Sequence, residues 1–428
     1  MEIIEENNNL IVSEMAENLV GSEIIKLAAE INEKIRAGAH IFNLTIGDFN
    51  PEIFPIPAKF EKEIKKAYEG RKTNYPAANG IAALRKAVSN LLLKNGGIEY
   101  SPEEILIAGG GRPLIYAIYQ VVLDPGDTVV YPVPSWNNNH YSHLTRVKKI
   151  QIETKFEDNF MPTADQIKPY IQDVNMIAVC SPLNPTGTAF SKEGLTSICD
   201  LILEENKRRG PNEKPIYLLF DQIYWQLTFG ETKHYNPVIL RPEMRDYTLF
   251  IDGMSKAYAA TGVRIGWGFG PEKVIRKMKA ILGHIGAWAP RAEQEAAAKF
   301  LIDNEATQKF SDDFRARLKK RLDAFYEGFK TLKSMGHAVD AIAPQAAIYL
   351  TVKLDLKGLK TVDGKLLAST EDVTKYLLSE AKIALVPFYA FGAERDSNWY
   401  RLSVGTASMQ DIESFFESLR SMLADLKK

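Results

Sequence analysis

Between residues 105 and 270, short apolar runs alternate with stretches of helical periodicity. The runs are ILIAG (105–109), TVVYPV (128–133), MIAVCS (176–181), IYLLFD (216–221), TLFIDG (248–253) and RIGWGFG (264–270). Wholly apolar strands joined by helices predict a parallel sheet covered on both faces. Upstream, SEIIKLAAEINEKIRA (22–37) has the apolar spacing of a helix behind a Ser22 N-cap, and Gly38 stops it. A short strand, IFNLTIG (41–47), a proline-punctuated loop to Pro57 and helices over 58–69 and 80–94 follow. A helix is also expected to start near Pro113, whose fixed φ suits a first helical position. Residues 291–335 read as a long charged helix. AIYLTVKL (347–354), IALVPF (383–388) and YRLSVG (400–405) read as strands flanked by helices. We expect an N-terminal arm with part of a small domain over 1–57, a large domain over 58–300 and a small C-terminal α/β domain over 301–428.

Composition narrows the classes. A chain of 428 residues buries a large core, and 45% apolar with 25% charged residues is ordinary for a globular protein. The net charge of −1 leaves no basic footprint for nucleic acid or anionic lipid. Two cysteines, Cys180 and Cys199, do not staple a chain this long and read as reduced thiols. No apolar run reaches the roughly 18 residues of a membrane span. The acidic N-terminal stretch does not resemble a secretory signal, so a cytoplasmic location is expected. No internal repeat or metal-ligand cluster stands out.

The chemistry concentrates in GMSKAYAATGVRIGWG (253–268), where Ser255 precedes Lys256 and Arg264 lies eight positions on. An apolar, glycine-rich setting lowers an amine's pKa and leaves it nucleophilic near neutral pH. A serine hydroxyl and a guanidinium fork beside it are natural phosphate ligands. A phosphorylated aldehyde that needs a lysine describes pyridoxal 5′-phosphate. In IAGGGRPL (107–114), Gly110 and Gly111 open a helix, either as a phosphate cradle or as a plain glycine turn. In SPLNPTG (181–187), Asn184 sits after a strand, where ligands of open α/β sheets bind, although Asn-Pro and Thr-Gly are also turn chemistry. Asp221 ends an apolar strand and either caps a helix or faces a cation such as a protonated pyridine. Tyr224, three residues on, is placed to donate to a cofactor oxygen. Trp136 is either a flat lid over a ring or a core residue. Arg401, inside an apolar strand, requires a carboxylate from a substrate or from the chain itself.

Taken in order, these residues resemble the class I/II aminotransferases of the aspartate aminotransferase type, a family with the type I fold of pyridoxal-phosphate enzymes. The resemblance runs from about Ser22 to the last strand. It implies a large domain with a mainly parallel seven-stranded sheet between helices and a smaller α/β domain. Lys256 corresponds to the cofactor-bearing lysine, Asp221 to the aspartate on the ring nitrogen, Tyr224 to the ligand of the ring oxygen, and Asn184 to the family's NPTG asparagine, which serves the cofactor and, with Arg401, the substrate α-carboxylate. Ser255, Arg264, Gly110 and Gly111 fall in the phosphate site, and Trp136 is the stacking aromatic. Arg401 matches the arginine that binds the α-carboxylate, with Gly47 beside it. Tyr75 matches a tyrosine that reaches the phosphate from the partner subunit, which implies a homodimer.

Two positions depart from the family pattern. Arg112 stands in the phosphate cradle, and Arg291 stands where a small hydroxyl residue is usual. Each is a candidate phosphate ligand, reader of a substrate's distal carboxylate, or member of an ion pair. The resemblance therefore implies ping-pong transfer of an amino group between an L-amino acid and a 2-oxo acid. Aspartate or glutamate with 2-oxoglutarate is the leading pair. Aromatic or sulfur amino acids such as methionine are the alternative substrates. C–S lyase or decarboxylase chemistry on the same scaffold is a further alternative.

Overall fold

A computed structural model describes residues 11–19, 21 and 23–427. Its largest sheet has seven strands. From edge to edge they are Ile105–Ala108, Gly266–Phe269, Thr248–Gly253, Tyr217–Asp221, Met176–Cys180, Thr128–Val133 and Lys148–Glu153. Neighbours are parallel from Thr248–Gly253 to Lys148–Glu153, while Gly266–Phe269 runs antiparallel to both strands beside it. The central strands are buried throughout because helices cover both faces, which is why they read as unbroken apolar runs. Lys148–Glu153 (KKIQIE) is the strand the apolar pattern does not pick out. At the sheet's edge its polar side chains remain in water.

Several expected elements take a different shape. Only Phe42–Asn43 of IFNLTIG is strand. It pairs in parallel with Ile383–Ala384, and the chain then leaves the sheet. IALVPF divides between two sheets, because Val386–Pro387 pairs instead with Trp399–Ser403. The long helix expected over 291–335 is two helices, Arg291–Leu301 and Asn304–Ser334. The Asp303 side chain accepts from the Ala306 N–H and starts the second. The helix expected near Pro113 begins at Gly111. Proline is tolerated there because N–H groups of the first turn have no intrahelical acceptor. The N-terminal helix is Glu23–Arg36, and Ser22, its expected cap, lies outside the described residues.

The C-terminal part forms a four-stranded antiparallel sheet in the order Val386–Pro387, Trp399–Ser403, Tyr349–Leu354, Val339–Ala341. Apolar side chains of Asn304–Ser334 and Met409–Ala424, among them Phe314, Leu318, Phe325, Phe329 and Phe415, share one core with this sheet. The same core takes in Phe49 and Phe54 from the N-terminal loop. Phe54 lies edge-on to Phe314, with the Arg317 and Arg321 guanidinium groups 5.0 and 4.8 Å from its ring. This anchorage holds residues 44–57 against the C-terminal part and carries Gly47 and Asp48 to the strand ends of the large sheet. Among the described residues, no helix is long and apolar enough to cross a membrane.

In the large sheet, Phe250 stacks on Phe269 at 4.5 Å and meets Tyr100 and Phe220 edge-on, all fully buried. Phe250→Ala leaves a cavity in this packing and is expected to lower stability by about 3–5 kcal/mol. Denaturant unfolding followed by circular dichroism measures it.

Candidate active site

A cavity of about 440 Å³ opens at the carboxyl ends of the parallel strands. Three of its walls are strand ends. Met176–Cys180 leads into the loop bearing Asn184, Tyr217–Asp221 ends on Asp221, and Thr248–Gly253 turns at once into the short helix Met254–Ala257 that carries Ser255 and Lys256. The fourth wall is Thr45–Asp48 with Arg401 and Tyr349, brought in by the C-terminal sheet.

The Lys256 Nζ donates to the Gly47 carbonyl at 2.6 Å and lies 5.7 Å from the Phe49 ring. Burial pushes its pKa down to about 8. Arg401, Arg112 and Arg264 act in the same direction and Asp48 opposes them. Asp221 accepts the Ile223 N–H at 3.0 Å, closing a turn rather than capping a helix. It has no cationic partner among the described residues, and burial pushes its carboxyl up to about 6. The hydroxyl of Tyr224 is 2.7 Å from that of Tyr349, and burial keeps both phenols protonated.

Arg401 is 1% exposed. One terminal nitrogen donates to the Asn184 side-chain oxygen at 3.0 Å and the other to the Thr45 carbonyl at 2.6 Å. Its Nε is buried without a partner. The rings of Tyr349 and Phe391 lie 4.7 and 4.8 Å from the guanidinium. No carboxylate among the described residues pairs with it, so no ion pair among them accounts for its burial.

The glycine-rich turn is tight for a definite reason. Gly110 has φ +96°, and a Cβ there would fall 2.2 Å from an Arg264 terminal nitrogen. Arg264 itself donates to the Thr261 and Gly109 carbonyls, both at 2.9 Å, and has no carboxylate partner among the described residues. Gly111, Ser255 and Arg264 face the same cavity. Arg112 stands at its rim, 5.5 Å from the Trp136 ring and likewise without a carboxylate partner among the described residues. Trp136 is half-buried on the cavity wall rather than in the core.

Two candidates lie elsewhere. Tyr75 is 80% exposed and rests edge-on against Trp288. Arg291 is engaged with Glu295 one helical turn on, at 3.3 Å, and with the Asn74 side chain. Conversely, the cavity includes residues the motifs do not mark: Thr45, Asp48, Thr261, Cys180 and Tyr349. Asp48 accepts from the Thr261 hydroxyl at 2.6 Å, joining the N-terminal loop to the segment after Lys256. Its position next to Gly47 in TIGD was the available signal. Tyr349 carried none, since a tyrosine in AIYLTVKL reads as core.

A nucleophilic buried lysine, an unpaired acid and several unpaired guanidinium groups around one cavity suit chemistry on anionic substrates. Comparison with known proteins places that chemistry in a family. The profile of the family "Aminotransferase class I and II" matches residues 39–419. The chain belongs to this family and is an aminotransferase. A probable aspartate/prephenate aminotransferase of Rickettsia felis is 29% identical over 406 residues, 94% of each chain. The aspartate/prephenate aminotransferase of Thermus thermophilus is 29% identical over 381 residues, covering 87% of this chain and 90% of the relative. The crystal structure of the aspartate aminotransferase from Rhizobium meliloti superposes with a TM-score of 0.89 at 25% identity, over 98% of this chain and all of the other. The architecture is the type I fold of pyridoxal-phosphate enzymes.

The depressed amine has a direct test. In protein free of bound aldehyde, reductive labelling of Lys256 is expected to rise about tenfold per pH unit up to about pH 8 and to level off above it. Surface lysines keep rising to near pH 10. Peptide mapping by mass spectrometry separates the two, and a Lys256 profile that tracks the surface lysines would refute the assignment.

Proposed function

We propose that this aminotransferase uses pyridoxal 5′-phosphate to move an amino group between a dicarboxylic L-amino acid, aspartate or glutamate, and a 2-oxo acid such as 2-oxoglutarate, by ping-pong kinetics. The observation that carries this reading is the imbalance of charge around the cavity. Arg112, Lys256, Arg264 and Arg401 face it with only Asp48 and Asp221 as acids, and none of the three arginines has a carboxylate partner among the described residues. Three anions from outside the chain, one phosphate and two carboxylates, would give each arginine a partner.

The residues suit the cofactor. Lys256 would carry its aldehyde, and Ser255, Arg264 and the N–H groups at Gly110 and Gly111 its phosphate. Tyr224 and Asn184 would meet the ring oxygen, and Trp136 the ring face. Asp221, buried without a cation, would take the protonated ring nitrogen, and that pairing would lower its pKa again. When bound, the cofactor supplies an electron sink for the carbon that loses its proton.

The remaining steps belong to the chain. Arg401 grips the substrate's α-carboxylate in its two-pronged fork and Asn184 steadies the guanidinium. Lys256, its pKa pushed down to about 8, takes the Cα proton as base and returns it as acid. Arg112 at the rim meets the distal carboxylate. The residue division 1–57, 58–300 and 301–428 belongs to the same proposal, as does a homodimer in which Tyr75 and Arg291, both outside this chain's own cavity, act toward the partner's site.

Lys256→Ala is expected to leave added cofactor with the absorbance of the free aldehyde and to abolish turnover; a variant that transaminates at near wild-type rate would refute the assignment. Arg112→Ala is expected to lower kcat/KM for aspartate by about ten- to a hundredfold, with a much smaller effect on a monocarboxylic amino acid. Equal losses on both would remove Arg112 from substrate recognition. For the assembly, sedimentation velocity is expected to give an active species of twice the chain mass, and an active monomer would overturn it.

A further inference from the structure

We infer that Tyr349 is a positioning residue. Its hydroxyl donates to Tyr224 and so frees the Tyr224 proton to point into the cavity. This rests on the pyridoxal-phosphate reading above and adds to it a residue and a direction of hydrogen bonding.

The geometry supplies the direction. Two buried, protonated phenols 2.7 Å apart share one hydrogen bond, which either oxygen is able to donate. The surroundings break the symmetry. The Tyr349 hydroxyl is packed against Gly47 so closely that a Cβ on that glycine would sit 2.8 Å from it. Its ring lies under the Arg401 guanidinium, which has donors and no acceptor. The nearby Gly47 carbonyl already receives the Lys256 ammonium. Among the described residues, Tyr224 is the one hydrogen-bond partner of the Tyr349 hydroxyl. Were Tyr224 the donor, the Tyr349 proton would be left between Gly47 and the Arg401 guanidinium with no acceptor among the described residues. With Tyr349 as donor, its proton is satisfied and the Tyr224 proton is released toward the cavity, where Lys256 lies 5.9 Å from the Tyr224 ring.

The positive charge over the Tyr349 ring strengthens this donation, and a phenol that accepts a hydrogen bond becomes a better donor itself. Tyr349 thereby links the carboxylate clamp to the phenol that is to face the cofactor's ring oxygen. A donor on that oxygen stabilises its negative charge and weakens its hold on the neighbouring proton. Removing the Tyr349 hydroxyl therefore raises the pH at which the holoenzyme's colour changes.

The test is a spectrophotometric pH titration of holoenzyme reconstituted with pyridoxal 5′-phosphate, in the wild type, Tyr349→Phe, Tyr224→Phe and the double variant. Tyr349→Phe keeps the ring beneath Arg401 and removes one oxygen, and a melting curve checks its folding. We expect its midpoint to move up by about half to one pH unit. Tyr224→Phe is expected to move it further, and Tyr349→Phe is expected to add nothing when Tyr224 is already phenylalanine. An unmoved midpoint in Tyr349→Phe, or an equal extra shift in the double variant, would overturn the inference and leave Tyr349 as a floor for Arg401. A wild-type protein that takes on no colour with the cofactor would instead overturn the proposed function, and the inference with it.

Discussion

A guanidinium cut off from water and left without a carboxylate among the described residues is the constraint on which the cavity depends. Transferring a charge into a protein interior is costly unless its donors are satisfied and its charge opposed. Arg401 has the first condition in part, through Asn184 and Thr45, and among the described residues lacks the second. Its Nε has no partner. The rest of the wall is organised around this group. A loop from one end of the chain supplies a carbonyl to it, a loop after a central strand supplies an amide, and two aromatic rings keep water from its faces. A chain that holds an uncompensated cation this way has its strongest unsatisfied demand at the place where a substrate anion arrives.

The same desolvation acts on both kinds of titratable group in the cavity, in opposite directions. It lowers the amine of Lys256 to about 8 and raises the acid of Asp221 to about 6. The two groups are thus brought toward neutral pH chiefly by burial rather than by pairing with each other. Each stays available to a ligand that carries the complementary charge.

Much of this was legible in the residues. The central strands announced themselves because burial on two faces leaves no polar alternation to confuse them. Asn184, Asp221, Ser255, Lys256 and Arg264 could be placed together because each lies at or beside a strand end of one sheet, Arg264 just before the antiparallel strand Gly266–Phe269 and the others at or after the ends of parallel strands. What escaped the pattern did so for physical reasons. Lys148–Glu153 is an edge strand whose solvent face is polar, so its composition resembles a loop. Asp303 interrupts a helical periodicity that continues on both sides of it. Tyr349 sits in a strand where a tyrosine satisfies the hydrophobic pattern equally well as core. Its role depends on Gly47 and Arg401, distant in sequence and adjacent only once the C-terminal sheet has packed against the N-terminal loop.

That the wall draws on Thr45–Asp48, Lys256 and Arg401 together has a consequence for biosynthesis. A ribosome that has released the large sheet has made the lysine and the acid but not the arginine, which is residue 401 of 428. The nascent chain therefore carries its reactive amine beside a half-built pocket while the 145 residues from Lys256 to Arg401 (401 − 256) are added, and the anion clamp closes over it only when the strand bearing Arg401 is laid down.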